Sequence, residues 1–341
     1  MHGAKGSTRA SPCSCLKRPD HRPNNQPGHQ LLTQHQPYPN TTVTVVMATY
    51  NGAAFLTAQL ASLAAQTRRP DRLVLRDDAS TDQSVTLVRE WAASIGVELQ
   101  LVPAAERLGP ARSFLTALQH AQPADVYLFC DQDDVWLPHK VERSVQLLDR
   151  NAGARPHLLA TSQWIVNAAL QEKRLSQLPR HLSFSNAVYE SALTGCTMAF
   201  NSPLRDLLVR ELPQQITMHD WWCYLVASGT GRVSFDDQPS MLYRQHGGNA
   251  LGAGPQGWAL HSERLQRFVR GTAHVRSGQL REFFRLYMDD ATPEASRLAS
   301  LLLQAQTGLR ARCCAALVAP VHRQAWFNQL TTRISLLANR F

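Results

Sequence analysis

Three carboxylates within four residues give this sequence its strongest chemical signal. The cluster Asp131-Gln132-Asp133-Asp134 follows directly on the apolar segment VYLFC. Negative charges this close repel one another, and a hard divalent cation relieves the repulsion. Mg²⁺ usually binds through one or two carboxylates together with substrate phosphates. The cluster therefore predicts a divalent metal site, for Mg²⁺ or Mn²⁺, that holds a diphosphate and stabilises it as a leaving group. The alternative is an acidic helix N-terminus, which the helix dipole favours.

Two further polar clusters also follow directly on short apolar runs. Thr49-Tyr50-Asn51-Gly52 ends a β-branched run, and DDASTD at 77–82 follows the segment RLVLR. Each cluster alone is typical of a turn or a helix cap. In open α/β sheets, however, ligands bind beyond the carboxyl ends of the strands. The repeated placement therefore favours one binding site along one edge of a sheet.

The apolar patterns around these clusters predict an α/β fold. Strands and helices alternate with short connections, which indicates a largely parallel sheet whose faces are covered by helices. Ser80 or Thr81 is expected to cap the second helix. From residue 258 onward the pattern is mainly helical, with Arg at irregular spacing. We expect strands at 41–49, 72–76, 97–102, 126–130 and 158–166. Helices are expected from after a turn at Asn51-Gly52 to about Gln66, and over 82–94, 110–120 and 138–150.

Three strings together resemble family 2 glycosyltransferases of the GT-A fold: TVVMATYNGAAFLTAQLASLAAQT, LRDDASTDQS and FCDQDDVWLPHKV. The resemblance runs from about Thr42 to Asn249 and implies a nucleoside diphosphate sugar as donor. By resemblance, Asp131 and Asp133 form a D-x-D motif, with Asp133 contacting the metal directly and Asp134 assisting. The resemblance assigns the nucleotide sugar to residues in four segments: Thr49, Tyr50, Asn51, Asp78, Asp131, Arg244 and His246. Of these, Thr49 and Asp78 are expected at the base and ribose.

The segment MHDWW is similar to the one in which these enzymes carry a catalytic carboxylate, and Asp220 matches that position. We expect Asp220 to take the proton from an acceptor hydroxyl, with inversion at the sugar; a helix cap is the alternative. His219 is interpreted as a polar neighbour, although it could position the base. Trp221 and Trp222 offer flat faces for a sugar ring, whereas core packing is the commoner role of Trp.

Two other segments extend the resemblance. TGCTMAFN is similar to a stretch near the acceptor site, where Gly195, with Cys196 beside it, allows the backbone to approach substrate. YRQHGGNALG carries Arg244 and His246, which are able to reach phosphate; a surface turn is the alternative. The strings around these motifs resemble bacterial rhamnosyltransferases of cell-surface polysaccharides. The resemblance therefore implies rhamnose, from dTDP-rhamnose, as the sugar and a growing glycan as the acceptor.

The charge distribution predicts three regions. The formal net charge is +9, yet residues 41–252 are nearly neutral at −2. Residues 1–40 carry +4, with much Pro, Asn and Gln, and are expected to be a disordered leader or the product of an early start codon. Residues 41–252 are expected to form the GT-A domain, and residues 253–341, at +7, a helical region. A nucleic-acid-binding core would carry the basic charge itself, so no nucleic acid partner is expected.

The composition favours a cytoplasmic protein. The seven cysteines show no C-x-x-C spacing, which predicts neither a disulfide framework nor a zinc site. No run of 18 apolar residues and no apolar signal segment occurs. The Arg-rich C-terminal helices either form a solvated packing layer or meet anionic headgroups at the inner face of the plasma membrane. The second interpretation suits a lipid-linked acceptor.

Two other function classes were weighed against a transferase. Asp131 through Val135 also fits the D-x-D-x-[TV] signature of HAD-type phosphohydrolases, in which the first Asp is the nucleophile. That alternative leaves the other polar clusters unexplained and places the nucleophile after the fourth strand. A non-catalytic sugar-binding module would need neither the carboxylate cluster nor Asp220.

Overall fold

The computed structural model describes residues 40–104, 106–148, 155–247 and 275–341. The leader expected at 1–40 lies outside the described residues except for Asn40, and residues 253–274 of the C-terminal region also lie outside them.

One mixed sheet forms the centre of the described structure. Its strands are β1 (Val43–Thr49), β2 (Arg72–Asp77), β3 (Glu98–Val102), β4 (Val126–Cys130), β5 (Val135–Trp136), β6 (His157–Asn167), β7 (Arg174–Leu175), β8 (Ala199–Asn201) and β9 (Arg232–Gln245). The strand order is β3-β2-β1-β4-β8-β6-β9-β5, and β7 pairs with β6. The first four strands are parallel, as is the long β6–β9 pair, whereas β8, β5 and β7 join antiparallel. The predicted α/β fold is confirmed, with the antiparallel pairs confined to its second half.

Helices cover both faces of the sheet. They are α1 (Ala53–Ala64), α2 (Ser84–Ile95), α3 (Gly109–His120), α4 (Lys140–Leu147), α5 (Phe184–Ala187), α6 (Ser202–Arg210), α7 (His219–Thr230), α8 (Val275–Tyr287), α9 (Pro293–Gln304), α10 (Leu309–Val318) and α11 (Trp326–Leu337). Short 3₁₀ turns occur at Gly195–Thr197 and Ala305–Thr307. The predicted helical character of the C-terminal region is confirmed over the part that is described.

The β-branched first strand explains the two-layered core. Successive side chains of a strand point to opposite faces. Val45 and Met47 pack beneath α1, α2 and α4, whereas Val46 packs in the layer that contains α3 and α5–α7. Helices α8 and α9 extend this second layer through Phe283 and Leu298. Because both faces are dry, the carboxyl ends of the central strands are the open edge at which polar groups gather.

The predicted cap of the second helix is wrong. Helix α2 begins at Ser84, and neither Ser80 nor Thr81 caps it. Ser80 instead accepts a hydrogen bond from the Asn51 amide at 2.9 Å, and the Thr81 amide donates to the Asn51 side chain at 2.8 Å. These polar residues are used to join the loops after β1 and β2. That use is a long-range one, which local capping rules do not include.

Five cysteines of the described ranges are free thiols. Cys130, Cys196 and Cys223 are buried, and Cys313 and Cys314 are exposed. No helix in the described ranges combines the length and apolar character needed to cross a bilayer.

Candidate active site

A cleft of about 310 Å³ opens at the carboxyl ends of β1, β2 and β4. Helix α7 and the turn at Gly195–Thr197 close its opposite side. More than half of the predicted site residues line it: Thr49, Tyr50, Asp78, Asp131, Asp133, Gly195 and Asp220. The parallel strands explain why segments so distant in sequence meet here.

The loop after β1 is tied to the loops after β2 and β4. Asn51 has a φ of 46°, a left-handed conformation that Asn tolerates, and its bonds to Ser80 and Thr81 hold the second loop. Gln132 exchanges hydrogen bonds with the backbone of Tyr50, at 2.9 and 3.2 Å. A Cβ at Gly52 would lie 2.2 Å from the Gln132 side-chain oxygen, so a larger residue there would displace Gln132 from Tyr50. Asn51 does not line the cleft in the described structure and serves to join the loops.

Asp78 is a buried anchor for helix α3. Its carboxylate accepts hydrogen bonds from the amides of Leu108 and Gly109 at 2.7 and 2.8 Å, from Arg76 at 2.5 Å and from Ser113 at 3.1 Å. Burial raises the pKa of this carboxyl group, but the hydrogen bonds outweigh burial and hold the pKa below its usual value. Asp78 is therefore ionised, and it fixes the first turn of α3 at the cleft.

The acidic cluster contains three different environments. Asp134 is fully buried, and one of its oxygens accepts the Arg244 amide at 3.0 Å. Asp133 borders the cleft, and its Oδ2 lies 2.8 Å from His246 Nε2. Burial, together with repulsion from Asp133 and Asp220, raises the pKa of Asp131 to about 7. Burial, followed by repulsion from Asp131 and Asp133, also raises the pKa of Asp134.

These carboxylates fit a hard divalent cation. Burial first, and then repulsion between the carboxylates, raises the pKa values of Asp131 and Asp134, and a cation would relieve that repulsion. Ligand atoms of Asp131, Asp134 and Cys196 lie within 4.8 Å of one another. Burial raises the pKa of the Cys196 thiol, and a protonated sulfur is a poor ligand for Mg²⁺. The oxygens of Asp131 and Asp133, which face the cleft, are the better donor pair.

A buried lysine accompanies the cluster, which the sequence did not indicate. The Nζ of Lys140 donates to the carbonyl oxygen of Cys196 at 2.5 Å and lies 4.4 Å from the centre of the Trp136 ring. Burial lowers its pKa to about 8, and the same charge lowers the pKa of Asp131. Lys140 begins an amphipathic helix, where a lysine would ordinarily be solvated.

Asp220 lies in the first turn of α7 with 8% of its surface exposed. It accepts hydrogen bonds from the amides of Gly195 at 3.2 Å and Trp221 at 2.6 Å. Burial raises its pKa to about 6, against the weaker opposing effect of these bonds. A carboxylate with this pKa is largely ionised at neutral pH and is more basic than an exposed one.

Part of the predicted acceptor site needs correction. Trp222 is fully buried, and its ring lies 5.8 Å from that of Tyr287. Cys196 is likewise buried below the cleft. Trp221 is half-buried, donates from its indole to the Ala187 carbonyl at 2.6 Å, and does not line the cleft as described. Trp222 thus packs α7 onto the fold, whereas an acceptor contact of Trp221 stays a prediction.

Arg244 and His246 support the acidic loop and do not line the described cleft. Arg244 donates to the carbonyl oxygens of Asp133 and Ala168, both at 2.7 Å. His246 stacks on Phe55, with 4.3 Å between ring centroids, while it contacts Asp133. The Arg244 guanidinium thus donates to two backbone carbonyls, and its reach to phosphate stays a prediction.

Arg107 and His219 are two of the residues at the cleft that were not predicted as site residues. The guanidinium of Arg107 lies 3.6 Å above the centre of the Tyr50 ring, and its Nε is 3.8 Å from Asp78. His219 lines the cleft beside Asp220. Arg107 follows β3 in a loop without a motif, so nothing in the sequence singled it out. His219 was interpreted from the sequence as a polar neighbour of Asp220 that could position the base.

A comparison with known families decides the class. Residues 44–189 match the family model of Glycosyl transferase family 2. The chain carries a family 2 glycosyltransferase domain. The matched residues contain the three loops at the carboxyl ends of β1, β2 and β4, whereas Gly195 and Asp220 on the opposite side of the cleft lie beyond the match. The phosphohydrolase and the non-catalytic module are set aside, because this family transfers sugars and the carboxylates of the cleft fit that chemistry.

Curated relatives support the family assignment. The chain is 28% identical over 219 residues to a dTDP-rhamnosyl transferase, RfbG, of Shigella flexneri, across 61% of this chain and 74% of the relative. It is 30% identical over 221 residues to an uncharacterized glycosyltransferase of Nostoc sp., across 61% of this chain and 66% of the relative. Both alignments are longer than the segment that the family model matches.

Solved structures support the glycosyltransferase fold. The Staphylococcus aureus TarS fragment in complex with UDP-GlcNAc is similar with a TM-score of 0.51 at 16% identity, covering 88% of this chain and 89% of TarS. The mannosyltransferase of Pyrobaculum calidifontis, solved with GDP-Man and Mn²⁺, gives a TM-score of 0.50 at 21% identity, covering 89% and 87%. The GT-A architecture expected from the resemblance is confirmed.

Proposed function

We propose that this family 2 glycosyltransferase moves rhamnose from dTDP-rhamnose to a hydroxyl of a growing cell-surface glycan, with inversion at the sugar. The observation that carries the proposal is the meeting of the Asp131–Asp133 pair and Asp220 in one cleft. The similarity to the S. flexneri dTDP-rhamnosyl transferase supports the choice of donor. The neighbours with UDP-GlcNAc and GDP-Man support a nucleoside diphosphate sugar as the donor class.

The nucleotide is proposed to bind between the loops after β1 and β2. Thr49 and Tyr50 line this end of the cleft, and Asp78 lies at its base with Arg107 above it. The ionised Asp78 offers an acceptor to base or ribose groups, and Arg107 supplies positive charge toward the diphosphate. Asn51 contributes by joining the loops that form this end.

The diphosphate is proposed to lie at Asp131 and Asp133 with a divalent cation. That cation would neutralise the leaving diphosphate as the bond to the sugar breaks. Arg244 and His246 hold the Asp133 loop from behind. Lys140 lies on the core side of the cluster, and its positive charge offsets part of the repulsion between the carboxylates.

The acceptor is proposed to enter beside Gly195, and Asp220 takes the proton of its attacking hydroxyl. The hydroxyl oxygen then forms a bond to the anomeric carbon while the bond to the diphosphate breaks on the opposite face. Asp220 is fixed for this step by the amides of Gly195 and Trp221. Its raised pKa suits a base that works near neutral pH.

The C-terminal region is proposed to meet an anionic membrane at the cytoplasmic face. We propose residues 41–252 as the catalytic domain and 253–341 as the region that carries this contact. Helices α10 and α11 expose a set of large apolar side chains: Leu309, Leu317, Val318, Leu330, Ile334 and Leu337. Residues 309–341 contain five arginines and no acid. Apolar and cationic groups together favour an interfacial position and a lipid-linked acceptor.

The proposal is tested with purified protein and a panel of nucleotide sugars, by measuring release of nucleoside diphosphate. Each donor is assayed with Mn²⁺ or Mg²⁺, with EDTA, and with the variant Asp133→Ala. The exposed Asp237→Ala is the matched control. Release from dTDP-rhamnose that EDTA and Asp133→Ala abolish, and that Asp237→Ala preserves, supports the proposal. Release from another donor corrects the sugar. If no donor releases nucleoside diphosphate and none binds in a metal-dependent way, the proposed transferase activity is refuted.

A further inference from the structure

His219 is a buried imidazole at the cleft wall, directly before Asp220. Only 3% of its surface is exposed. Its ring stacks on Phe114 with 4.0 Å between centroids and meets Phe129 edge-on at 4.9 Å. Burial lowers its pKa to about 3, so the ring is neutral at physiological pH. A neutral imidazole has one N–H donor and one acceptor nitrogen.

Neither ring nitrogen of His219 has a hydrogen-bond partner among the described residues. Its Nε2 faces Gly195 so closely that a Cβ at that position would lie 2.6 Å away. Buried polar groups without partners destabilise a fold, and native proteins retain few of them. Of the buried side-chain atoms that lack partners in the described ranges, only those of His219 belong to a residue lining the cleft. The missing partner is therefore expected to arrive with substrate.

We propose that His219 hydrogen-bonds a sugar hydroxyl at the reacting end of the cleft. This inference rests on the proposed function. A hydroxyl both donates and accepts, which matches either nitrogen of a neutral ring. The phenylalanine contacts fix the ring's orientation, and the adjacent Asp220 places the hydroxyl near the attacked bond. His219 stays neutral where Asp220 ionises, so it does not compete for the proton. The hydroxyl belongs to the transferred sugar or to the acceptor.

The test compares His219→Phe, which keeps a ring without polar atoms, with His219→Gln, which keeps a neutral donor and acceptor. His120→Phe, at an exposed site, is the control. We expect His219→Phe to lower kcat/KM by about tenfold or more while its Tm equals or exceeds that of the parent chain. We expect His219→Gln to stay within about threefold. If His219→Gln keeps the activity that His219→Phe loses, the contribution of His219 is a hydrogen bond and not the packing of its ring.

Donor hydrolysis and the two KM values distinguish whether the hydroxyl belongs to the transferred sugar or to the acceptor. If it belongs to the transferred sugar, His219→Phe also slows donor hydrolysis without acceptor and raises the donor KM. If it belongs to the acceptor, hydrolysis is unchanged and only the acceptor KM rises. Unchanged KM and kcat in His219→Phe would overturn the proposal. Equal losses of activity and Tm in both variants would overturn it as well, because they indicate packing. A parent chain that binds no nucleotide sugar by calorimetry would instead refute the proposed function.

Discussion

The Nε of Arg244 donates to the backbone carbonyl of Asp133 at 2.7 Å, and the Arg244 amide donates to the Asp134 carboxylate at 3.0 Å. A residue of β9 thus holds the acidic loop that follows β4. The loop needs this support because its charges repel one another and would otherwise move apart. We therefore expect Arg244 to affect metal binding through this loop.

We predict that Arg244→Met raises the Mn²⁺ concentration for half-maximal activity by about tenfold, because loss of supporting contacts around a metal site costs roughly that factor in affinity. A metal titration of turnover measures this concentration. Arg174→Met, which removes an exposed arginine on β7, is the control. An unchanged metal requirement in Arg244→Met would contradict the supporting role.

Asp133 and Asp134 are adjacent, yet we predict opposite sensitivity to amide substitution. Burial and its neighbours raise the pKa of Asp134, so Asn is close to its favoured neutral form and still accepts the Arg244 amide. Asp133→Asn removes the charge that faces the cleft and is expected to lower kcat by about 100-fold or more. Asp134→Asn is expected to stay within about fivefold. The reverse order would indicate that Asp134 is the metal ligand.

Much of this site was predictable because parallel strands bring their carboxyl ends together. The runs ending at Thr49, Asp77 and Cys130 are buried strands, and the polar residues after them meet as expected. The local sequence pattern identified these strands, because short runs of β-branched and apolar residues usually form buried strands. The position of Asp220 followed from its similarity to a family segment.

The remaining features depend on contacts between distant segments. Arg244 and Asp133 are 111 residues apart, and no local rule connects them. Trp222 is a core residue because Tyr287 of α8 packs near it, so its role is set by a helix far along the chain. Lys140 begins an otherwise ordinary amphipathic helix, and only the fold reveals that its ammonium group is buried.

Asp78 is expected to matter for stability as well as for donor binding. Its partner Arg76 has 2% of its side chain exposed. Removing one member of a buried ion pair leaves an uncompensated charge and typically costs about 3 kcal/mol. We predict this loss in the free energy of unfolding for Asp78→Ala, measured by urea denaturation. Asp237→Ala, at an exposed site, should change it by less than about 0.5 kcal/mol. A variant as stable as the parent would show that Asp78 does not anchor α3.

The exposed apolar face of α10 is predicted to bind anionic vesicles. Leu317 and Val318 are 80% and 67% exposed. We expect the double variant Leu317→Glu/Val318→Glu to lose vesicle binding by about tenfold, because it removes apolar contacts and adds repulsion. Flotation with phosphatidylglycerol vesicles measures this binding. Leu178→Glu, at a 52% exposed position outside the C-terminal helices, is the control. A parent chain that fails to float at moderate salt would count against membrane contact.

Asp220 links activity and stability to pH with opposite signs. Its pKa is raised to about 6, so kcat/KM should rise with pH through about 6 and then level off, as the base loses its proton. Saturating Mn²⁺ is used in this assay because Asp131 also titrates near neutrality.

The stability of the fold should depend on pH with the opposite sign. Between the unfolded pKa of Asp220, near 3.8, and its folded pKa of about 6, the folded chain binds more protons than the unfolded chain, so this residue lowers stability as pH rises. Asp220→Asn should therefore abolish transfer and raise Tm above pH 6, with little change in Tm near pH 4. Full activity in Asp220→Asn would exclude Asp220 as the base. A Tm that falls equally at both pH values would instead indicate that the carboxylate is a structural acceptor for the Gly195 and Trp221 amides.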